Sequence, residues 1–196
     1  MTKSVEDLSV QPREKYSCFL MGDSRTGKKS PIEAYGRTVA HANLLHMPDY
    51  TCVYVSAGAE KVELDVHDSP VHSDGRFLHM FSSQFADVIV MAFSVVCKDS
   101  FQKVENLFIP FAKRNYPRIP VILVATDIDL RYGAKQEWIA TPEMGQDLAQ
   151  TVGVDVYVEC SARHGHGVRI LVEKAVRLAK KHRREERVKK RKCSVM

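Results

Sequence analysis

The stretch that decides the fold of this 196-residue chain is Gly22-Asp23-Ser24-Arg25-Thr26-Gly27-Lys28-Lys29. A short apolar run, residues 16–21, precedes it, and a helical pattern follows. This context is typical of a phosphate-binding loop of the form GxxxxGK[ST], in which backbone amides and a helix N-terminus surround phosphate oxygens. Lys28 is then the lysine that reaches the terminal phosphates. We predict that residues 22–30, through Ser30 in the first helical turn, bind phosphate.

The last position of this motif departs from the pattern. A Ser or Thr hydroxyl there normally ligates Mg²⁺, but Lys29 carries an ammonium group, which cannot ligate a cation. Ser30 does not readily replace it, because one step along a helix rotates the side chain by about 100°. Pro31 is compatible with a first helical turn, where backbone amides have no intrahelical partner.

Further apolar runs alternate with helical patterns along the chain. The run at 62–67 alternates with period two, and the runs at 88–93, 121–125 and 156–158 are apolar, as in strands buried on both faces. Helical patterns occupy residues 101–112, start again at Thr141-Pro142, and occupy residues 168–179. We therefore predict an α/β fold of the P-loop NTPase type, with a mostly parallel sheet and helices on both faces.

The chain divides into a polar lead-in, a domain and a basic tail. Residues 1–14 are aperiodic, and we interpret them as a flexible extension; residues 15–179 form the domain, and residues 180–196 form the tail. No apolar run approaches the ~18 residues of a membrane span, and the start of the chain lacks the apolar core of a signal peptide. Five scattered cysteines show neither paired nor metal-binding spacing.

The tail combines positive charge with a lipidation signal. Residues 180–192 contain nine Lys or Arg and two Glu, a net charge of +7 in a chain whose total is +5. Such a segment seeks an anionic membrane surface or a nucleic acid. Because Cys193 is four residues from the end, in the form Cys-a-a-X with Met196, we predict prenylation, with farnesyl the expected lipid. One lipid anchors weakly, and the adjoining charge supplies the second membrane signal.

Three further polar segments follow predicted strands. Asp68 ends the alternating strand, at the sheet edge where open α/β sheets bind ligands, and it suits a carboxylate that holds Mg²⁺ through water. A solvated strand-end carboxylate is the alternative. Residues 124–129 and 157–162 lie in the same way at the ends of the predicted strands 121–125 and 156–158.

With the loop, these segments carry a resemblance to the Ras superfamily, and within it to the Rho/Rac-type small GTPases. The resemblance runs from about Lys15 to the C-terminus and includes residues 93–96, 129–131 and 141–143, with 157–162 very close to the Rho-type guanine loop. It implies a small G domain that binds GTP and GDP, protein effectors and regulators, and attachment to the cytoplasmic face of the plasma membrane or of endomembranes. We expect a monomer that does not bind nucleic acid.

The resemblance assigns the guanine contacts. Asp129 stands where the family Asp pairs with the guanine N1 and N2 hydrogens, and Thr126 begins the same motif. Ser161 and Ala162 match the loop whose amide reads the guanine O6. The lysine that normally lies over the base is replaced by Asp127, so we expect a lower affinity.

The resemblance also shows which parts have degenerated. Ser24 replaces the glycine beside the catalytic water, Val71 replaces the glycine that approaches the γ-phosphate, and His72 replaces the glutamine that orients the water. No Thr occurs between Ala40 and Tyr50 to serve as the switch threonine, and Thr51 lies displaced toward the next strand. No catalytic residue is therefore assigned, and we expect weak or absent GTP hydrolysis.

Two interpretations remain open at the level of the sequence. One is a signalling protein that binds GTP, cycles slowly and recruits effectors in cytoskeletal, polarity or vesicle-traffic functions. The other is a pseudo-GTPase that binds little nucleotide and acts as a membrane-tethered scaffold. In either, Lys28 and Lys29 could share the phosphate charge, and nucleotide binding could be independent of Mg²⁺.

Overall fold

In the computed structural model of the chain, the described residues are 14–23, 26–38, 43–47, 50–57, 60–68, 86–132 and 137–193. The strands are β1 (Glu14–Gly22), β2 (Asn43–His46), β3 (Tyr50–Ala57), β4 (Glu60–Asp68), β5 (Val88–Ser94), β6 (Val121–Thr126) and β7 (Val156–Glu159). The α-helices are α1 (Ser30–Thr38), α2 (Lys98–Lys103), α3 (Ile109–Asn115), α4 (Pro142–Thr151) and α5 (Val168–Cys193). A π-helical segment spans Val104–Phe108, and a 3₁₀ helix spans Ile128–Arg131.

The strands form one seven-stranded sheet in the order β2-β3-β4-β1-β5-β6-β7. Strands β4, β1, β5, β6 and β7 are parallel, whereas β2 and β3 pair antiparallel at one side. This confirms the predicted mostly parallel α/β fold and all five predicted strands. β1 lies between β4 and β5. The chain continues from β1 to β2 on one side of it, whereas β5, β6 and β7 follow in order on the other side. In open sheets, ligands bind where the connections diverge to opposite sides in this way.

The sheet separates two hydrophobic cores. One contains buried side chains of α1 and α5, such as Ile32 and Leu171, and the other contains those of the α2–α3 region and α4, such as Phe108 and Leu148. Helices therefore cover both faces, as predicted. Because β5 is buried along its whole length, its continuous apolar sequence is the expected pattern for a central parallel strand.

The predicted helix at residues 101–112 is interrupted. The N–H group of Ile109 donates to the carbonyl of Val104, five residues earlier, which is a π-type turn. Pro110 follows at once, and it lacks an N–H group and crowds the carbonyl four residues before it. The wider turn of the preceding π-helical segment accommodates this proline.

Other predicted boundaries are refined. The Thr141 hydroxyl accepts a hydrogen bond from the Met144 amide and caps α4, which confirms the predicted helix start. β1 already begins at Glu14, the last residue assigned to the lead-in. The basic segment from residue 180 continues α5 as far as Cys193. Among the described helices, none combines the length and apolar character needed to cross a bilayer.

The second half of α5 is attached to the domain by Arg183. Its guanidinium group pairs with both carboxylate oxygens of Asp87, donates to the Lys15 carbonyl, and lies 4.5 Å from the ring centre of Tyr16. Asp87 also accepts from the Ser17 amide at 2.9 Å and is 7% exposed. The helix is therefore fixed to the start of β1 and to the segment before β5.

We predict that Arg183→Met destabilises the protein, because it leaves the buried Asp87 carboxylate without its cation. The expected loss is about 1–3 kcal/mol in the free energy of unfolding, which lowers the Tm by about 2–4 °C for each kcal/mol. Thermal unfolding followed by circular dichroism measures it. Arg184→Met, at the exposed neighbouring position, is the matched control, and an equal loss in both variants would contradict this attachment.

Candidate functional site

The phosphate loop begins where β1 approaches β5 most closely. A Cβ atom on Gly22 would lie 2.7 Å from the Ala92 carbonyl oxygen, and Gly27 has φ +56°, a conformation that glycine adopts readily. Between them, both the amide and the hydroxyl of Thr26 donate to the Asp23 carbonyl, at 3.1 and 2.7 Å. The two glycines thus allow a tight turn against the sheet, as the motif predicts. Ser24 and Arg25 lie outside the described residues.

A hydroxyl bridge joins this loop to β6. Thr126 Oγ1 donates to the Thr26 carbonyl at 2.7 Å and lies 3.1 Å from the Phe93 carbonyl. Both threonines are buried. Thr126 therefore ties the loop to the end of the strand that leads into Asp129, which gives a structural reason for its place in the predicted site.

Two lysines converge on one carboxylate beside the loop. The Lys28 ammonium lies 3.1 Å from Asp68 Oδ1, and the Lys29 ammonium lies 3.0 Å from Asp68 Oδ2. Lys28 also donates to the Gly22 carbonyl at 3.1 Å, which closes the loop. Its approach to Asp68 Oδ1 is an ion pair without hydrogen-bond geometry, so this buried oxygen accepts no hydrogen bond. The predicted Asp68 therefore does reach the loop, as a partner of both lysines.

A pocket of about 220 Å³ opens next to these charges. It is bounded by the loop side of α1, by the ends of β1 and β4, and by β2 and β3. Thr51 lines it from β3, and its hydroxyl lies 3.2 Å from His46 Nδ1. The displaced threonine therefore faces the same pocket as Lys29 and Asp68, although it belongs to a strand.

The predicted base-reading residues meet at the same edge of the sheet. Ser161, which is buried, donates its hydroxyl to Asp129 Oδ1 at 2.6 Å. The other carboxylate oxygen, Oδ2, lies 4.0 Å from His164 Nδ1. The serine fixes the orientation of the carboxylate, and each carboxylate oxygen can accept more than one hydrogen bond. Ala162 follows in the turn after Ser161.

An ion pair between Arg131 and Glu159 joins the segment after β6 to the end of β7. Arg131 makes two parallel hydrogen bonds to Glu159, at 2.8 and 2.7 Å, and donates to the Ala140 carbonyl at 2.9 Å. Tyr157 donates to the same carboxylate at 2.7 Å. The Arg131 guanidinium, and then the Tyr157 hydroxyl, hold the pKa of Glu159 below its usual value despite partial burial. Burial, together with Glu159, raises the pKa of Tyr157.

Asp127 adopts a conformation that suits its residue type. It has φ +60°, a left-handed conformation in which Asp and Asn are enriched, and it precedes the 3₁₀ helix. Its Oδ2 accepts a hydrogen bond from the Ser94 hydroxyl at 2.6 Å. The carboxylate that replaces the family lysine is therefore held by the end of β5.

Four residues that hold the predicted site in place were not predicted from the sequence. Lys103 pairs with Asp23 of the loop at 2.5 Å, Ser94 holds Asp127, and Arg131 pairs with Glu159. Arg131 lies two residues after Asp129, and Glu159 lies two residues before Ser161. This matching offset of opposite charges was the one available signal. Val71 and His72 lie outside the described residues, so their assigned roles stay predictions.

A separate group of potential metal ligands lies on the sheet. Cys52, Glu63 and Asp65 place their ligand atoms within 4.8 Å of one another. Lys15 pairs with both carboxylates, at 2.7 and 2.8 Å. Burial, and then the neighbouring Asp65, raise the pKa of the Cys52 thiol to about 12. Lys15 balances one of the two carboxylate charges, and a protonated thiol is a poor metal ligand, so we assign no metal site to this group.

The sheet topology, the glycine-bounded loop and its closing lysine define a P-loop domain of the small G type. A family model described as the Ras family matches residues 17–181. The chain also resembles two proteins named Rho-related GTP-binding protein RhoH, from Bos taurus and Mus musculus. Each is 34% identical over 164 residues, which is 83% of this chain and 86% of the relative. The chain belongs to the Ras family and, within it, to the Rho-like small GTPases.

We predict that Glu159→Gln removes a pH-dependent part of the stability. Because the folded-state pKa of Glu159 is lowered, its contribution is fully present above the ordinary Glu value of about 4.3 and is lost as the pH falls through the lowered value. The variant should therefore lose about 1–2 kcal/mol near neutral pH, and the difference from the parent protein should shrink below about pH 4.

Urea unfolding across this pH range measures the effect. Glu173→Gln is the matched control, because the Arg169–Glu173 pair on α5 is largely exposed and such pairs contribute little. A difference between Glu159→Gln and the parent protein that stays constant with pH would contradict the assigned linkage.

Proposed function

We propose that this chain is a guanine-nucleotide-binding signalling protein with weak or absent GTP hydrolysis, held at the cytoplasmic face of a membrane. The observation that carries the proposal is the convergence of two sites at one sheet edge. The Lys28 loop offers phosphate contacts, and the hydrogen-bonded Asp129–Ser161 pair offers a carboxylate for the guanine edge. The two relatives are named GTP-binding proteins, which supports the same ligand.

The hydrolysis part of the proposal rests on residue chemistry. His72 stands at the position whose side chain normally orients the attacking water. Ser24 stands at a position where any side chain crowds that water. An imidazole has a different reach and hydrogen-bonding pattern from the family glutamine. We therefore assign no catalytic residue. The expected partners are the nucleotide, protein effectors and regulators, with a monomeric chain acting in cytoskeletal, polarity or traffic functions.

A specific observation favours the alternative, a membrane-tethered pseudo-GTPase. Both lysines of the phosphate site already have an anionic partner without a ligand, because Asp68 pairs with Lys28 and with Lys29. Bringing both lysines to a phosphate requires at least one of these pairs to loosen. This lowers the expected affinity, and it makes nucleotide content the property that separates the two functions.

We predict that the purified chain binds GTP and GDP in preference to ATP and leaves bound GTP largely unhydrolysed. Asp129→Ala should weaken guanine-nucleotide binding about 100-fold, because two hydrogen bonds to a charged group are lost. Chromatography of the released nucleotide and calorimetric titration measure these quantities.

The matched control is Asp147→Ala, which removes an exposed carboxylate on α4. Turnover at ordinary Ras-like rates would contradict the hydrolysis part of the proposal. Absence of any guanine-nucleotide affinity would favour the scaffold.

The membrane part of the proposal rests on the C-terminal segment. α5 carries the basic residues from 180 onward and ends at Cys193, within the Cys-a-a-X signal. A farnesyl chain and a polybasic segment are together sufficient for stable attachment to an anionic leaflet, whereas either alone binds weakly. The plasma membrane and endomembranes both offer such a leaflet.

We predict that Cys193→Ser moves most of the protein from the membrane to the soluble fraction of cells, because the basic segment alone is a weak anchor. Fractionation and imaging of a fluorescent fusion measure the distribution. Cys97→Ser, at the partly buried cysteine before α2, is the matched control. Continued attachment of Cys193→Ser would contradict lipidation at this residue.

A further inference from the structure

Lys29 and Asp68 stand at the motif positions from which the fold family holds a divalent cation. The family site needs a hydroxyl from the last loop position and a carboxylate that reaches the ion through water. Lys29 supplies an ammonium group instead of the hydroxyl, and its nitrogen lies 3.0 Å from Asp68 Oδ2. Asp68 is paired through both of its oxygens. The residues present do not fit a Mg²⁺ ion.

The hydroxyl of the next residue along the chain, Ser30, does not restore the ligand set. Ser30 begins α1, and its Oγ lies 3.3 Å from the position that a Cβ on Gly27 would take. The hydroxyl therefore packs against the loop glycine. The Ser30 amide also donates to the Gly27 carbonyl at 2.8 Å, which fixes the residue in the first turn.

We propose that Lys29 serves as a built-in cation at the phosphate loop, so that this chain binds guanine nucleotides without Mg²⁺. The inference rests on the proposed nucleotide binding and specifies its chemistry. The side chain of Lys29 is 60% exposed, so its ion pair with Asp68 is weak and its four-carbon stem can turn toward a phosphate oxygen. A phosphate oxygen then receives a charged hydrogen bond from Lys29 in the place of a metal contact.

The net charge of this arrangement affects how strongly the site favours GTP over GDP. Lys28, Lys29 and Asp68 sum to a charge of +1, whereas one lysine, one Mg²⁺ and one aspartate sum to +2. The Asp23 carboxylate is already balanced by Lys103 at 2.5 Å. The site therefore presents one positive charge fewer to the terminal phosphate. The electrostatic attraction of the extra phosphate of GTP is consequently weaker than it is beside a metal ion.

Titration of the whole purified chain with a fluorescent GDP analogue, in MgCl₂ and in EDTA, tests the proposal. We expect the two dissociation constants of the parent protein to agree within about twofold. Lys29→Ser restores the hydroxyl of the family motif, and it should bind the analogue more weakly in EDTA by about tenfold, the effect of one charged hydrogen bond. It should also bind more tightly in MgCl₂ than in EDTA. Lys29→Arg, which keeps the charge, should remain independent of the metal.

The matched control is Lys113→Met. Lys113 is exposed in the last turn of α3, which leads to the start of β6 at the opposite edge of the sheet. Binding by the parent protein that falls at least about tenfold in EDTA overturns this inference and leaves the proposed function intact. Absence of binding in both buffers overturns the proposed nucleotide binding and this inference with it. The parent protein alone separates these outcomes, even where Lys29→Ser does not fold.

Discussion

Strand β1 pairs in parallel with β4 on one side and with β5 on the other, and the positions of the functional side chains depend on this pairing. The register places Leu20 beside Asp68 and Gly22 beside Ala92, so the loop after β1 emerges between two other strand ends. A Cβ at position 22 would collide with the β5 backbone. The glycine that begins the loop is therefore required by the sheet itself, before any phosphate is considered.

Hydrogen bonds between strand ends turn this edge into one connected unit. Thr126 joins β6 to the loop, Ser94 joins β5 to Asp127, and Ser161 joins the turn after β7 to Asp129. Each bond is made by a hydroxyl at or just beyond the end of a strand of the same sheet, where neighbouring strand ends lie side by side. The phosphate half and the base half of the site are consequently positioned by the same framework, although their residues are about a hundred positions apart in the chain.

The sequence predicted those parts of the fold that burial determines, and it predicted the site less completely. Strands such as β5 and β6 are apolar because both faces are covered, so their pattern was visible. Strands β2 and β3 were not predicted, because they lie at the antiparallel side of the sheet, where one strand is an edge and burial is mixed. The order of the motifs was sufficient to bring Asp129 to Ser161. The pairing of Asp68 with two lysines was not predicted, because ion pairs between flexible side chains leave no periodic signal.

Two departures from the family motifs change the local charge of the site with opposite sign. Lys29 adds a cation at the phosphate end, and Asp127 replaces a cation with an anion at the base end. Each new charge has a nearby partner, Asp68 in the first instance and the Ser94 hydroxyl in the second. These partners lower the free-energy cost of carrying the new charges in the absence of a ligand. The same pairing opposes the ligand, since a nucleotide must compete with Asp68 for the lysines. In the family motif, the loop charges are balanced only when a metal ion and a phosphate are bound. In this chain, the ammonium group of Lys29 pairs with Asp68 without either ligand. Lys29 therefore makes the loop less dependent on its ligand and lowers its affinity for that ligand.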